Sequence, residues 1–138
     1  MKKFLGILVL SLLWCNVGFA DDLKGKKLFC TNGGKYLSFE FKSFSRVQFI
    51  DINPWAGENY MDKESYDSGT FKYEIEPGRI LLKNKNWRKL YIDRKTLVLV
   101  PSTSYKPCEL VPKHIDLDKK MKNIYNNLIK SIDTGNKI

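Results

Sequence analysis

The stretch KLFCTNGGKYLSFEFK, Lys27 to Lys42, decides the fold. Its second half alternates strictly, with Leu37, Phe39 and Phe41 on one side and Ser38, Glu40 and Lys42 on the other, which is the period of a half-buried β-strand. Asn32-Gly33-Gly34 precedes it and supplies the positive φ angles of a tight hairpin, so Lys27 to Thr31 and Tyr36 to Lys42 read as antiparallel partners.

The same grammar of short apolar strands and turn residues continues downstream. Ser43-Phe44-Ser45 turns the chain into Arg46 to Ile52. After an irregular stretch, Thr70 to Glu76 places Phe71, Tyr73 and Ile75 inward, and Pro77-Gly78 suits a type II turn. Arg79 to Lys83, Trp87 to Ile92, Thr96 to Val100 and Cys108 to Val111 complete the set. The expected fold is mainly β: an eight-stranded antiparallel meander over about residues 27–111, closing into a small barrel or curled sheet so that few edges stay exposed.

From Asp116 the period changes. Leu117, Met121, Ile124, Tyr125, Leu128 and Ile132 share one stripe, predicting one C-terminal amphipathic helix over about 116–132, with Asp116 as cap and Gly135 as stop. The strands at Ile80 to Leu82, Leu90 to Ile92 and Leu97 to Val100 are apolar on both faces, so the helix is expected to cover those later strands.

Met1 to Ala20 has the form of a signal peptide, with Lys2 and Lys3, the apolar run Phe4 to Leu13, and Gly18-Phe19-Ala20 as a cleavage site. Cys15 and Asn16 break the run before it reaches the roughly 20 residues of a membrane span, and the bulky Trp14 before Cys15 argues against lipid attachment. One β-barrel domain, 21–138, then remains. Its location is expected to be periplasmic or secreted, with no transmembrane segment. Of the three cysteines, Cys30 and Cys108 would stay in the mature chain, and in an oxidising compartment such a pair is expected to form a disulfide. If the first and last strands meet, the bond clasps the seam.

Removing Lys2 and Lys3 takes the formal charge from +9 to about +7, which favours an anionic partner. Nucleic acid is disfavoured for an exported chain, leaving an envelope polyanion. Lys85, Trp87, Arg88 and Lys89 form the densest local cluster of stacking and charge. The longest connection, Asn53 to Gly69, carries Trp55, Tyr60 and Tyr66 beside Glu58, Asp62, Glu64 and Asp67, a composition suited to sugar or cation recognition. Trp55, Tyr60, Tyr66, Trp87 and Arg88 are therefore the candidate ligand-binding residues. Asp62, Glu64 and Asp67 lack the spacing of a calcium loop, so no metal and no cofactor are expected. The single histidine, His114, reads as an exposed linker residue, and Glu74 with Glu76 as the solvated face of a strand, so no catalytic residue is assigned.

The meander followed by a terminal helix resembles the calycin or lipocalin-like barrels, which carry small apolar ligands. Gly25-Lys26-Lys27 and Leu90 to Arg94 stand where that family has its Gly-x-Trp and Thr-Asp-Tyr signatures, so the resemblance is one of layout. With cysteines in Leu28-Phe29-Cys30 and Lys106-Pro107-Cys108, the chain also resembles small periplasmic barrels that inhibit lysozyme. The expected function is an exported, non-catalytic binding protein acting in the cell envelope through the barrel mouth or the 53–69 loop. The resemblances imply two alternatives, a carrier of a small apolar ligand and a periplasmic enzyme inhibitor.

Overall fold

The computed structural model describes residues 23–85, 89–101 and 105–135, so the expected signal segment, Trp87 and Arg88 lie outside the described residues. The chain runs through β1 (Lys27–Asn32), β2 (Lys35–Phe41), β3 (Arg46–Ile52), β4 (Tyr66–Glu76), β5 (Arg79–Lys83), β6 (Leu90–Asp93), β7 (Leu99–Val100), β8 (Glu109–Val111) and the helix α1 (Leu117–Gly135). All eight strands form one antiparallel sheet in the order β7-β6-β5-β4-β3-β2-β1-β8. The sheet curls into a half-barrel with edges at β7 and β8.

Local chemistry explains the hairpins. Gly33 and Gly34 take φ of +48° and +96° in the turn that registers Thr31 against Tyr36 and Cys30 against Leu37. Gly69 lies opposite Phe49, and a Cβ there would come within 3.1 Å of the Phe49 ring, so a larger residue would require that ring to shift by a few tenths of an ångström. The concave face holds the main core. Phe39, Phe41, Phe49, Phe71 and Tyr73 are buried there with Leu28, Leu37, Val47, Ile80, Leu82, Ile92 and Leu99. Edge-on and tilted ring contacts join Phe41 to Tyr73 at 4.9 Å and Phe49 to Phe71 at 5.5 Å. Tyr73 keeps its hydroxyl satisfied by donating to the Ser43 carbonyl at 2.6 Å, as a buried phenol requires.

Cys30 and Cys108 are bonded, with Cα atoms 4.3 Å apart and the two residues 78 positions apart in sequence. The register Phe29↔Glu109 and Leu28↔Leu110 continues to place these cysteines face to face. First and last strands do meet. The open seam, however, lies one strand further on, between β8 and β7, so the bond fixes β8 to β1 and leaves that seam to other contacts.

The helix departs from expectation in its destination. Asp116 caps it, its Oδ1 accepting from the Lys119 N–H at 3.1 Å, and its stripe buries Met121 against Ile50 and Ile52, with Phe29, Tyr36 and Tyr66 around them. It therefore covers β1 to β4, not the later strands. β8 pairs with β1, and after the short link from Pro112 to Asp116 the apolar stripe of the helix meets Ile50, Ile52, Phe29, Tyr36 and Tyr66 on the outer face of β1 to β4. Leu81 and Tyr91 stay half-exposed instead.

Other boundaries move for local reasons. Strand β4 begins at Tyr66, which shortens the long connection to 53–65. Ile75, expected inside, is 36% exposed, because β3 begins opposite Lys72 and leaves the lower end of β4 with β5 alone as a strand neighbour. Leu97 has φ +58°, which removes the first part of the expected Thr96 to Val100 strand. The expected Trp87 to Ile92 strand is formed from Leu90, its Trp87 and Arg88 lying outside the described residues, and the last strand starts at Glu109 instead of Cys108.

Candidate functional site

The strands β3, β4 and β5 end at different heights, and that mismatch builds a strongly basic cleft. β4 pairs with β3 along Tyr66 to Lys72 but with β5 only from Lys72 downward. Above Lys72 its outer edge is uncovered by β5, and a cleft of about 610 Å³ opens there. Arg46, Lys72, Lys83 and Lys85 line it, with Ser68 and Thr70 as hydroxyl donors and Phe49 and Phe71 at its floor. Asp67 is the one acidic residue in its lining.

Three of those cations form a row. Arg46 lies directly opposite Lys72, and Lys72 directly opposite Lys83, all on the convex face. Like charges at directly opposed positions repel and destabilise a sheet by a fraction of a kcal/mol each. Lys83 is compensated by Glu74 at 2.5 Å. The row as a whole is a ready receptor for negative charge.

The 53–65 connection leads into β4 at Tyr66, one residue before Asp67 of the cleft lining, and it is held by its own hydrogen bonds. Asn53 N–H donates to Ser65 C=O at 2.9 Å and Met61 N–H to Pro54 C=O at 2.9 Å. The Asp62 carboxylate accepts from Glu64 N–H at 2.9 Å and Asn59 N–H at 3.3 Å, while Pro54 and Ser65 are buried beneath. This framework presents Trp55, 64% exposed, against Tyr60, with ring centroids 4.6 Å apart. Exposed Glu58 and Glu64 stand on the same loop.

The other sequence candidates separate from this pair. Tyr66 belongs to the helix contact: its ring meets Tyr125 at 5.2 Å, and burial, with the nearby Asp118 and Tyr125, raises its phenol above the ordinary value. Lys85 and Lys89 are exposed on the connection between β5 and β6, at the same end of the sheet as the 53–65 loop. Among the described residues no group of three or more His, Cys, Asp or Glu side chains could hold a metal ion, and no helix is long and apolar enough to cross a membrane.

Asp51 escaped the sequence reading. The pairings Leu37↔Asp51 and Asp51↔Asp67 set it on the concave face, at the upper mouth, opposite a second carboxylate. Its Oδ1 is shut off from solvent and meets no donor among the described residues. Burial, reinforced by Asp67 and opposed by Lys35, pushes its carboxyl up to about 6. Tyr105, half-buried nearby, is pushed up to about 12 by burial and by the Asp51 charge. The signal was present in the alternation Val47, Phe49, Asp51, which puts a carboxylate in an apolar file.

His114 is exposed, and it borders an open groove of about 630 Å³ together with Glu109 and Asp116. A second, smaller hollow joins it to Glu40, Asp116 and Asp118. Two of those carboxylates have other work: Glu40 pairs with Lys27 and Lys42, and Asp116 caps α1. No hydrogen bond joins His114 to a carboxylate among the described residues. No family model matches this chain, and neither does any curated protein or solved structure.

Proposed function

We propose that the chain is an exported, non-catalytic protein of the cell envelope that binds an acidic polysaccharide. The observation that carries this reading is the opposed row Arg46, Lys72 and Lys83 at the edge of a cleft. An anionic polymer laid along the row relieves repulsion that folding alone leaves in place. The Trp55–Tyr60 platform, on the connection that leads into β4 at the same end of the sheet, offers a ring face for stacking, and Glu58 and Glu64 offer acceptors for sugar hydroxyls.

Two features favour this reading over its rivals. The concave face is filled by aromatic and aliphatic side chains, which favours a main ligand held at the surface over one carried in the interior, and of the carboxylates around His114, Glu40 is paired with lysines and Asp116 caps α1. Binding of a polyuronate oligomer and of a neutral glucan oligomer, measured by calorimetry at rising salt, tests the proposal. The polyuronate is expected to bind with an affinity that falls steeply between low and physiological ionic strength. Arg46→Glu is expected to weaken it by about tenfold or more, the scale of a close attractive contact turned repulsive. Salt-insensitive binding, or equal binding of the neutral glucan, would overturn it.

A further inference from the structure

The open seam holds a second site at the opposite end of the half-barrel. Cys108 N–H does not bond to β1; it donates across the seam to Leu97 C=O at 2.8 Å. In an antiparallel pair, outward-pointing positions alternate, so two residues on, Leu110 also turns its N–H away from β1 and toward the seam. Leu110 is 62% exposed. Below the Cys108–Leu97 contact the hairpin after β6 turns away, with the Asp93 carboxylate accepting from Lys95 and Thr96 N–H, and a slot remains.

This slot has a volume of about 130 Å³, and Leu23, Leu28, Phe41, Ile80, Leu97 and Leu110 supply its apolar walls. Lys26 and Arg94 complete the lining, both of them cationic. Leu97 holds a left-handed backbone, φ +58°, which a leucine rarely adopts and which directs its carbonyl to Cys108 at the head of the slot. An apolar cavity of about 150 Å³ accepts a benzene-sized guest, so this one suits the terminal carbons of an alkyl chain.

We propose that the slot binds a small anionic amphiphile, its alkyl end between Leu28, Phe41, Ile80 and Leu110 and its acidic head at Lys26, Arg94 and the Leu110 N–H. The site is independent of the polysaccharide cleft, which lies at the other end, along the part of β4 that β5 leaves uncovered. Apolar walls select the chain, and the two cations together with a backbone donor select the sign of the head.

The test is methyl NMR on the disulfide-bonded mature chain, labelled at leucine and isoleucine and titrated with octanoate, octylamine and acetate. Octanoate is expected to shift the Leu28, Ile80, Leu97 and Leu110 methyls saturably, octylamine to bind at least tenfold more weakly, and acetate to leave them unmoved. The double variant Lys26→Glu with Arg94→Glu should reverse the preference between octanoate and octylamine. Arg46→Glu should leave octanoate binding unchanged, which separates this site from the cleft. Equal responses to octanoate and octylamine, shifts confined to other methyls, or no saturable shift would each overturn the proposal.

Discussion

Replacing Asp51 by Asn keeps the shape of the side chain and deletes its charge. The folded protein holds this carboxyl at about 6 against an ordinary 3.8, so the native state binds more protons than the unfolded chain between those values. Stability attributable to Asp51 is complete below pH 4 and is lost as pH rises through 6. A shift of roughly two units at about 1.4 kcal/mol each bounds the loss at about 3 kcal/mol, and access of water to the partly exposed Asp67 side of the pair reduces it to about 1–3 kcal/mol. Asp51→Asn is therefore expected to be more stable than the parent at pH 7.5 by that amount, raising Tm by about 4–12 °C for a domain of this size. At pH 3.5 the two proteins should melt together. Urea unfolding followed by circular dichroism at half-unit pH steps, disulfide intact, gives the whole curve. A variant less stable at neutral pH, or a difference that does not change between pH 4 and 7, would refute the placement of an unpaired carboxylate at the mouth. Asp67→Asn supplies the companion result: removing its charge should lower the Asp51 titration.

Three further outcomes follow from the packing and the charge row. Cys30→Ser with Cys108→Ser releases a closure spanning 78 residues and should cost about 4.5 kcal/mol in the chain-entropy account, read as a lower urea midpoint. Met121→Ala, at the fully buried centre of the helix contact, should cost about 2–5 kcal/mol; a double-mutant cycle should show coupling to Ile52→Ala and additivity with Leu81→Ala, because α1 packs on β3 and not on β5. Lys72→Gln should raise stability at low salt by a few tenths of a kcal/mol up to about 1 while lowering polyuronate affinity, with the stability gain disappearing at high salt.

Most of the strands were legible because side-chain alternation and turn chemistry are local. Leu37, Phe39 and Phe41 face the core as their spacing demands, and Asn32-Gly33-Gly34 makes the turn that their spacing needs. The helix stripe was equally plain. Its destination was not, since it depends on β8 pairing with β1 and on the short reach from Pro112 to Asp116, a non-local fact. The apolar character of Leu81 and Tyr91 pointed the wrong way because half-exposed aliphatic and aromatic side chains are common on a convex face.

The site shows the same division. Trp55 and Tyr60 were readable as an aromatic pair on a long connection, whereas the cation row was invisible. Arg46, Lys72 and Lys83 are far apart in sequence, and only the register of three strands brings them side by side. Asp67 read as a loop residue until β4 proved to begin at Tyr66, and with it went the partner of Asp51. The basic excess was plain in the composition, but composition carries no information about where charge gathers.

Acidic saccharide bound at the cleft of β3, β4 and β5 would reach the Trp55 platform as well. A chemical-shift map of residues 21–138 titrated with a polyuronate oligomer reads this out residue by residue. Saturable shifts are expected at the Trp55 indole and at Arg46, Ser68, Thr70, Lys72 and Lys83. Shifts confined to the lysines of the helix, Lys119, Lys120, Lys122 and Lys130, with Trp55 and Lys72 unmoved, would contradict it.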